Sequence, residues 1–223
     1  RRMPPLFVAT LRDVDADANN ITANTLRGPA SVQMRGIVLS NADQNVIASN
    51  ILRDSLNGIV LTTSADSNAI LVNRFITNTR AGIDLAGVTA TRIAGNVFDG
   101  RGRTTNGIYG QSQNRFTVVS NNKFTNHSGY AIQHFGTPQR WLIAGNAILR
   151  NPVYLNGGGI GSNRIVSNRF IGMGVAGSGI TIYAGSRNLI TNNNFTGSTT
   201  GGVNLVESMS NVVVGNRIWS NTS

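Results

Sequence analysis

The sequence predicts an all-β solenoid, a single stack of about nine three-sided coils. Three observations predict it. Asn-x-apolar recurs nine times, at Asn24, Asn50, Asn73, Asn96, Asn122, Asn146, Asn168, Asn193 and Asn216, with spacings of 22 to 26 residues. A β-branched residue stands three positions earlier every time, from Ile21 to Val213. Some ten residues after the Asn comes Gly-apolar-x-apolar, as in Gly36-Ile37-Val38-Leu39, Gly58-Ile59-Val60-Leu61, Gly82-Ile83-Asp84-Leu85 and Gly179-Ile180-Thr181-Ile182. Gly202 opens another copy, and looser ones begin at Gly107, Gly129 and Pro152.

Each element of a coil has a physical reason. Three apolar runs of period two per repeat, broken by Gly, Asn and Ser, read as short strands rather than helices. One coil cannot bury its own face, whereas stacked coils bury a continuous cylinder with Ile on Ile and Phe on Phe. Asn at a fixed corner tolerates a left-handed turn, and its amide can bond the next Asn along the stack. Nine coils at roughly 4.8 Å give a rod about 40 Å long. Residues 1–19 are expected to be a lead-in or partial first coil, and residues 20–223 the solenoid domain.

The Asn corner, the inward Ile, Val and Phe columns and the Gly-Ile-x-Leu strand resemble right-handed parallel β-helices of the pectate-lyase-like superfamily. The resemblance covers about residues 20 to 220. It implies the fold, within a superfamily of polysaccharide lyases, uronan epimerases, galacturonan hydrolases, tailspikes and periplasmic helpers of metalloenzyme assembly. It also implies a substrate lying along the sheet of Gly-Ile-x-Leu strands, flanked by the turn loops.

Composition removes other classes. There are 29 Asn and 26 Gly, both poor helix formers, and only 13% charged residues. No Cys is present, so there is no disulfide framework and no thiolate metal site. No apolar run approaches the length of a membrane span, and the run at Leu6-Phe7-Val8 is too short for a signal peptide. Without an initiator Met the chain is expected to be processed or excised. Residues 1–99 carry nine basic and eight acidic groups, and residues 100–223 carry ten basic groups and Glu207. The second half is therefore expected to attract a polyanion.

The outward positions of the Gly-Ile-x-Leu strands read Val38, Val60, Asp84, Tyr109, Ala131, Tyr154, Thr181 and Asn204. Two residues later stand Ser40, Thr62, Ala86, Gln111, Gln133, Asn156, Tyr183 and Val206. Tyr rings stack on sugars and amides bond hydroxyls, so Asp84, Gln111, Gln133, Tyr154, Asn156 and Tyr183 are the candidate substrate-binding residues. The long loop Asp99–Asn106 and the coil after it hold Arg101, Arg103, Tyr109, His127, Tyr130 and His134, the candidate catalytic set. Arg would neutralise a carboxylate, and His or Tyr would move a proton. That chemistry suits β-elimination or C5 epimerisation of a uronic acid.

Other chemistries fit worse. Galacturonan hydrolysis needs clustered carboxylates, and Asp84 and Asp99 lie on different segments. Calcium needs several charged oxygen ligands, and two His residues are few for a transition metal. No metal and no cofactor is expected. A basic stripe at Arg74, Lys123, Arg169 and Arg217 lacks the interleaved aromatics of a nucleic-acid site. Asn20, Asn126, Asn194 and Asn221 begin N-x-S/T sequons, expected to be coincidental in so Asn-rich a chain.

Two function classes follow. One is an extracellular enzyme acting on an acidic polysaccharide, a lyase or epimerase. The other is a non-catalytic adhesin or tailspike-like protein. Cell surface, periplasm and virion are all compatible locations. The end at Ser223 shows no cap, so a longer parent, a homotrimer contact or another capping partner is expected to cover it.

Overall fold

The computed structural model describes residues 11–28, 34–174, 178–198 and 201–219. Residues 1–10, the sequon at Asn221 and Ser223 lie outside them. The described chain is a right-handed parallel β-helix without helices, about eight turns against the nine expected coils. Three nine-stranded sheets form its sides. The first runs from Leu11–Val14 to Val203–Val206 and has the longest strands, Asn106–Arg115 and Tyr130–Gln139. The second runs from Asn20–Thr22 to Val212–Val214, the third from Thr25–Arg27 to Arg217–Trp219. All pairing is parallel, between the same side of successive coils.

The sequence columns are the core columns. Ile47, Ile70, Ile93, Val119, Ile143, Ile165 and Ile190 are fully buried inside the second sheet. In the third sheet Phe75, Phe98 and Phe124 stack at 4.6 Å with rings 7° from parallel. The repeat therefore forces offset stacking of like residue on like. The glycines opening the long strands are required by this stack: a Cβ on Gly82 would lie 2.6 Å from Phe98 Cδ1, and one on Gly107 2.5 Å from Phe124 Cδ1.

The Asn corner is a continuous ladder. Asn122 Oδ1 accepts from Asn96 N and Nδ2, while Asn122 Nδ2 donates to Ile93 O and Asn146 Oδ1. The same pattern runs from Asn24 to Asn216. One expectation is corrected. The left-handed residue is not the Asn but the one before it: Ala23, Ser49, Val72, Gly95, Asn121, Gly145, Ser167, Asn192 and Gly215 all have positive φ. The Asn side chain can reach along the stack because its own backbone stays in the ordinary region.

A second ladder, unpredicted, runs five residues earlier through Asn19, Asn45 and Asn68, and again through Asn163, Asn188 and Asn211. Thr91, Thr117 and Trp141 interrupt it.

Two stability outcomes follow. Val72 is β-branched at φ 56° with its side chain largely exposed, so Val72→Gly should raise the unfolding free energy by about 1 kcal/mol. Asn122→Leu strands the buried donors and acceptors of two coils and should cost about 3 kcal/mol or more, read as a lower urea midpoint.

Candidate functional site

The outward face of the first sheet carries the predicted stripes with one slip. Asp84, Tyr109, Gln133, Tyr154, Thr181 and Asn204 are Cα partners in that order. The next outward stripe is Ala86, Gln111, Phe135, Asn156, Tyr183 and Val206. The loose copy at Gly129 is thus displaced by two residues. Ala131, not Gly129, stands opposite Gly107 in that strand and is buried rather than outward. Gln133 keeps its face because a shift of two preserves side-chain parity. Phe135, 41% exposed, enters the site unpredicted.

Four rings make a continuous platform. Phe135 lies 6.3 Å from Tyr109 and 5.9 Å from Tyr154, and Tyr130 lies 5.2 Å from Tyr154. The Tyr154 hydroxyl accepts from Asn156 Nδ2 at 3.0 Å. At one end the Arg80 guanidinium lies 4.7 Å from the Tyr109 ring centre and 3.2 Å from Asp84 Oδ2, to which Asn57 also donates. Burial raises the Asp84 carboxyl above its usual range, although Arg80, Arg35 and Asn57 pull the other way. Asp84 is therefore covered at the platform edge. At the other end Tyr183 is held protonated above its ordinary range, chiefly by its hydrogen bond to Glu207.

The candidate catalytic set is divided three ways. Tyr109 and Tyr130 belong to the platform. Arg101 and His127 line a surface pocket of about 480 Å³ with Gly102, Asn126 and Arg150, at the corner between the third and first sheets. Arg101 Nε is 3.3 Å from Asp99 Oδ2. His127 stands at the position that Asn78 and Asn151 hold in a short third ladder, where His127 N donates to Asn151 Oδ1. Arg103 is exposed on the same loop. Burial lowers the His127 pKa to about 4, partly opposed by Asp99 and by a hydrogen bond to the Thr104 backbone.

His134 is inside the coil, fully buried in the column Leu85, Gly110, His134, Leu155. It points away from the platform. Gly110 makes the room, since a Cβ there would meet the imidazole. His134 Nε2 accepts from Asn114 Nδ2 at 2.8 Å and its ring packs edge-on against Trp141. Burial lowers its pKa to about 3.

The fold and this face define a parallel β-helix of the pectate-lyase-like type. Residues 10–160, about two thirds of the chain, match the family described as "Periplasmic copper-binding protein (NosD)", and the chain belongs to that family. No curated protein matches the sequence. Among solved structures, DFA-IIIase from Arthrobacter chlorophenolicus A6 in complex with GF2 superposes with a TM-score of 0.73 at 17% identity, covering 91% of this chain and 55% of that one. The Dettilon tailspike protein gives 0.53 at 15%, covering 90% and 55%. PfbA, a surface adhesin of Streptococcus pneumoniae, gives 0.56 at 8%, covering 97% and 71%. The chain spans just over half the length of the first two. These likenesses show the fold.

The family description names copper, and the donor set here does not fit it. The chain has no Cys, and its two His residues are buried at separate places. Among the described residues no three His, Cys, Asp or Glu side chains group together. Nor is any helix among them long and apolar enough to cross a membrane.

Both His residues are neutral in the fold, with pKa values below the ordinary 6.5. Stability is full above about pH 6.5 and falls with pH as the unfolded chain takes up protons first, down to about 4 for His127 and about 3 for His134. The ceiling on this loss is about 3 kcal/mol for His127 and about 5 kcal/mol for His134. His134→Leu, matching Leu85 and Leu155, should flatten the decline in urea midpoint between pH 6 and 4.

Proposed function

We propose that the outer face of the first sheet binds a polysaccharide chain outside the cytoplasm. One observation carries the reading: Tyr109, Phe135, Tyr154 and Tyr130 form a contiguous aromatic surface on a strand face. Gln111, Gln133 and Asn156 beside it offer amides to hydroxyls, and Tyr183 extends the surface along the stack. Flat rings present to sugar C–H faces what stacked bases present elsewhere, apolar area with a polar rim. The excess of basic groups in the second half favours an acidic chain. The periplasmic description of the family and the tailspike and adhesin likenesses support the location.

A catalytic version has its own observation, the corner pocket that joins Arg101 and Arg150 to His127. Two guanidinium groups would hold a uronate carboxylate, and His127, both of whose ring nitrogens are buried here, would take the C5 proton in a conformation that turns the ring into the pocket. This reading expects unsaturated products or C5 exchange from alginate, pectate or glycosaminoglycan. Absence of both across all three leaves the binding protein.

Binding is tested by titrating oligosaccharides and following Tyr and Trp fluorescence. Phe135→Ala and Tyr154→Ala should each weaken binding about tenfold, on the order of 1–2 kcal/mol. Affinities equal to the parent chain in both variants would remove the platform from the reading.

A further inference from the structure

A different face of the rod carries an ordered row of charge. On the outer side of the third sheet Arg74, Val97, Lys123, Ala147, Arg169, Asn194 and Arg217 are Cα partners in unbroken succession. Cations occupy every second rung. All four are exposed, and the ion pairs among the described residues use other arginines: Arg27, Arg53, Arg80 and Arg101. Neighbouring strands lie roughly 4.8 Å apart, so these charges recur about every 10 Å and span about 30 Å. The rungs between are uncharged, with Val97 37% exposed and Ala147 half-buried.

The alternation has a physical cause and a consequence. Like charges on adjacent rungs repel at about 5 Å unless a carboxylate lies between them, as Asp54 does for Arg27 and Arg53, so an uncompensated cation row is carried best at alternate rungs. A rigid row then has a fixed period, about the length of two pyranose rings in an extended chain. Nucleic acid fits the row poorly, because the rungs between the cations carry Val97, Ala147 and Asn194 rather than aromatic side chains on which bases stack.

We propose that this row binds a linear polyanion in which a charged sugar alternates with an uncharged one. The carboxylate or sulfate sits on Arg74, Lys123, Arg169 and Arg217, and the uncharged ring lies over Val97 and Ala147. The site lies on a different sheet from the aromatic platform, and its exposed cations give it an acidic preference of its own.

Three labelled oligosaccharides of equal length test this by fluorescence anisotropy in low salt. They are a hyaluronan fragment (glucuronate alternating with an uncharged amino sugar), an oligogalacturonate with a charge on every ring, and a neutral malto-oligosaccharide. The hyaluronan fragment should bind at least as tightly as the oligogalacturonate despite half its charge. Lys123→Ala with Arg169→Ala should weaken that binding about tenfold. Val97→Lys with Ala147→Lys fills the empty rungs and should turn the preference toward the oligogalacturonate. Tighter binding of the oligogalacturonate to the parent chain overturns the proposal, as does unchanged hyaluronan affinity in the Lys123 and Arg169 variant. The neutral chain reports on the platform alone, so failure of the platform reading remains distinguishable.

Discussion

The stack depends on one interaction, the buried Asn carboxamide that ties each corner to the next coil. A corner N–H points along the rod axis and finds no partner in its own coil. Asn122 shows the solution, since its one side chain accepts twice from the coil below and donates once to each neighbour. A carboxylate there would be a buried charge, and a hydroxyl would make fewer bonds. Once the corners are tied, every strand begins at the same height, and the Ile and Phe columns fall into register. The scarcity of charge follows from the same cause, because positions that other folds leave to solvent are taken here by buried amides.

Where the ladders fail, the candidate sites lie. The second ladder breaks at Thr91, Thr117 and Trp141, and the third departs from Asn at Arg101 and His127. In the broken stretch other groups take up the backbone bonds. Asn114 Oδ1 accepts from Val88 N, Asn114 Nδ2 donates to Leu85 O, and Trp141 Nε1 donates to Asn114 O. The repair is incomplete, since Thr91 Oγ1, Thr117 Oγ1 and His134 Nδ1 are buried without a partner in the structure. The same two long strands that hold Gly110, Asn114 and His134 inward hold Tyr109, Phe135 and Tyr130 outward. Local rules are broken inside the coil directly beneath the aromatic platform, as expected where function competes with regularity.

The repeating part of this structure is legible in the sequence because stacking places the same demand on the same position in every coil. The nine Asn and their β-branched partners need only periodicity. The second ladder has the same spacings but escapes notice because Thr91, Thr117 and Trp141 cut it into short runs. The position of Phe135 is hidden because Ala131 fills the place that Gly82 and Gly107 hold in the coils before it, while Gly129, two residues earlier, looks like the strand opening. His134 faces inward for a reason carried by another coil, the missing Cβ of Gly110, and no pattern within its own repeat reveals it. Arg80 over Tyr109 is likewise a contact between coils, set by geometry rather than spacing.

A solenoid shows any partner the same position again and again at the strand spacing. A small ligand gains little from such repetition, whereas a polymer with its own period gains one contact per repeat along a rod that has already lost its flexibility. The first and third sheets use different chemistry on that one ruler. The first sheet offers rings and amides, with its buried carboxylate already neutralised by Arg80. The third sheet offers exposed cations two rungs apart. Because the strand spacing is fixed, alternate rungs give that row a length to measure with.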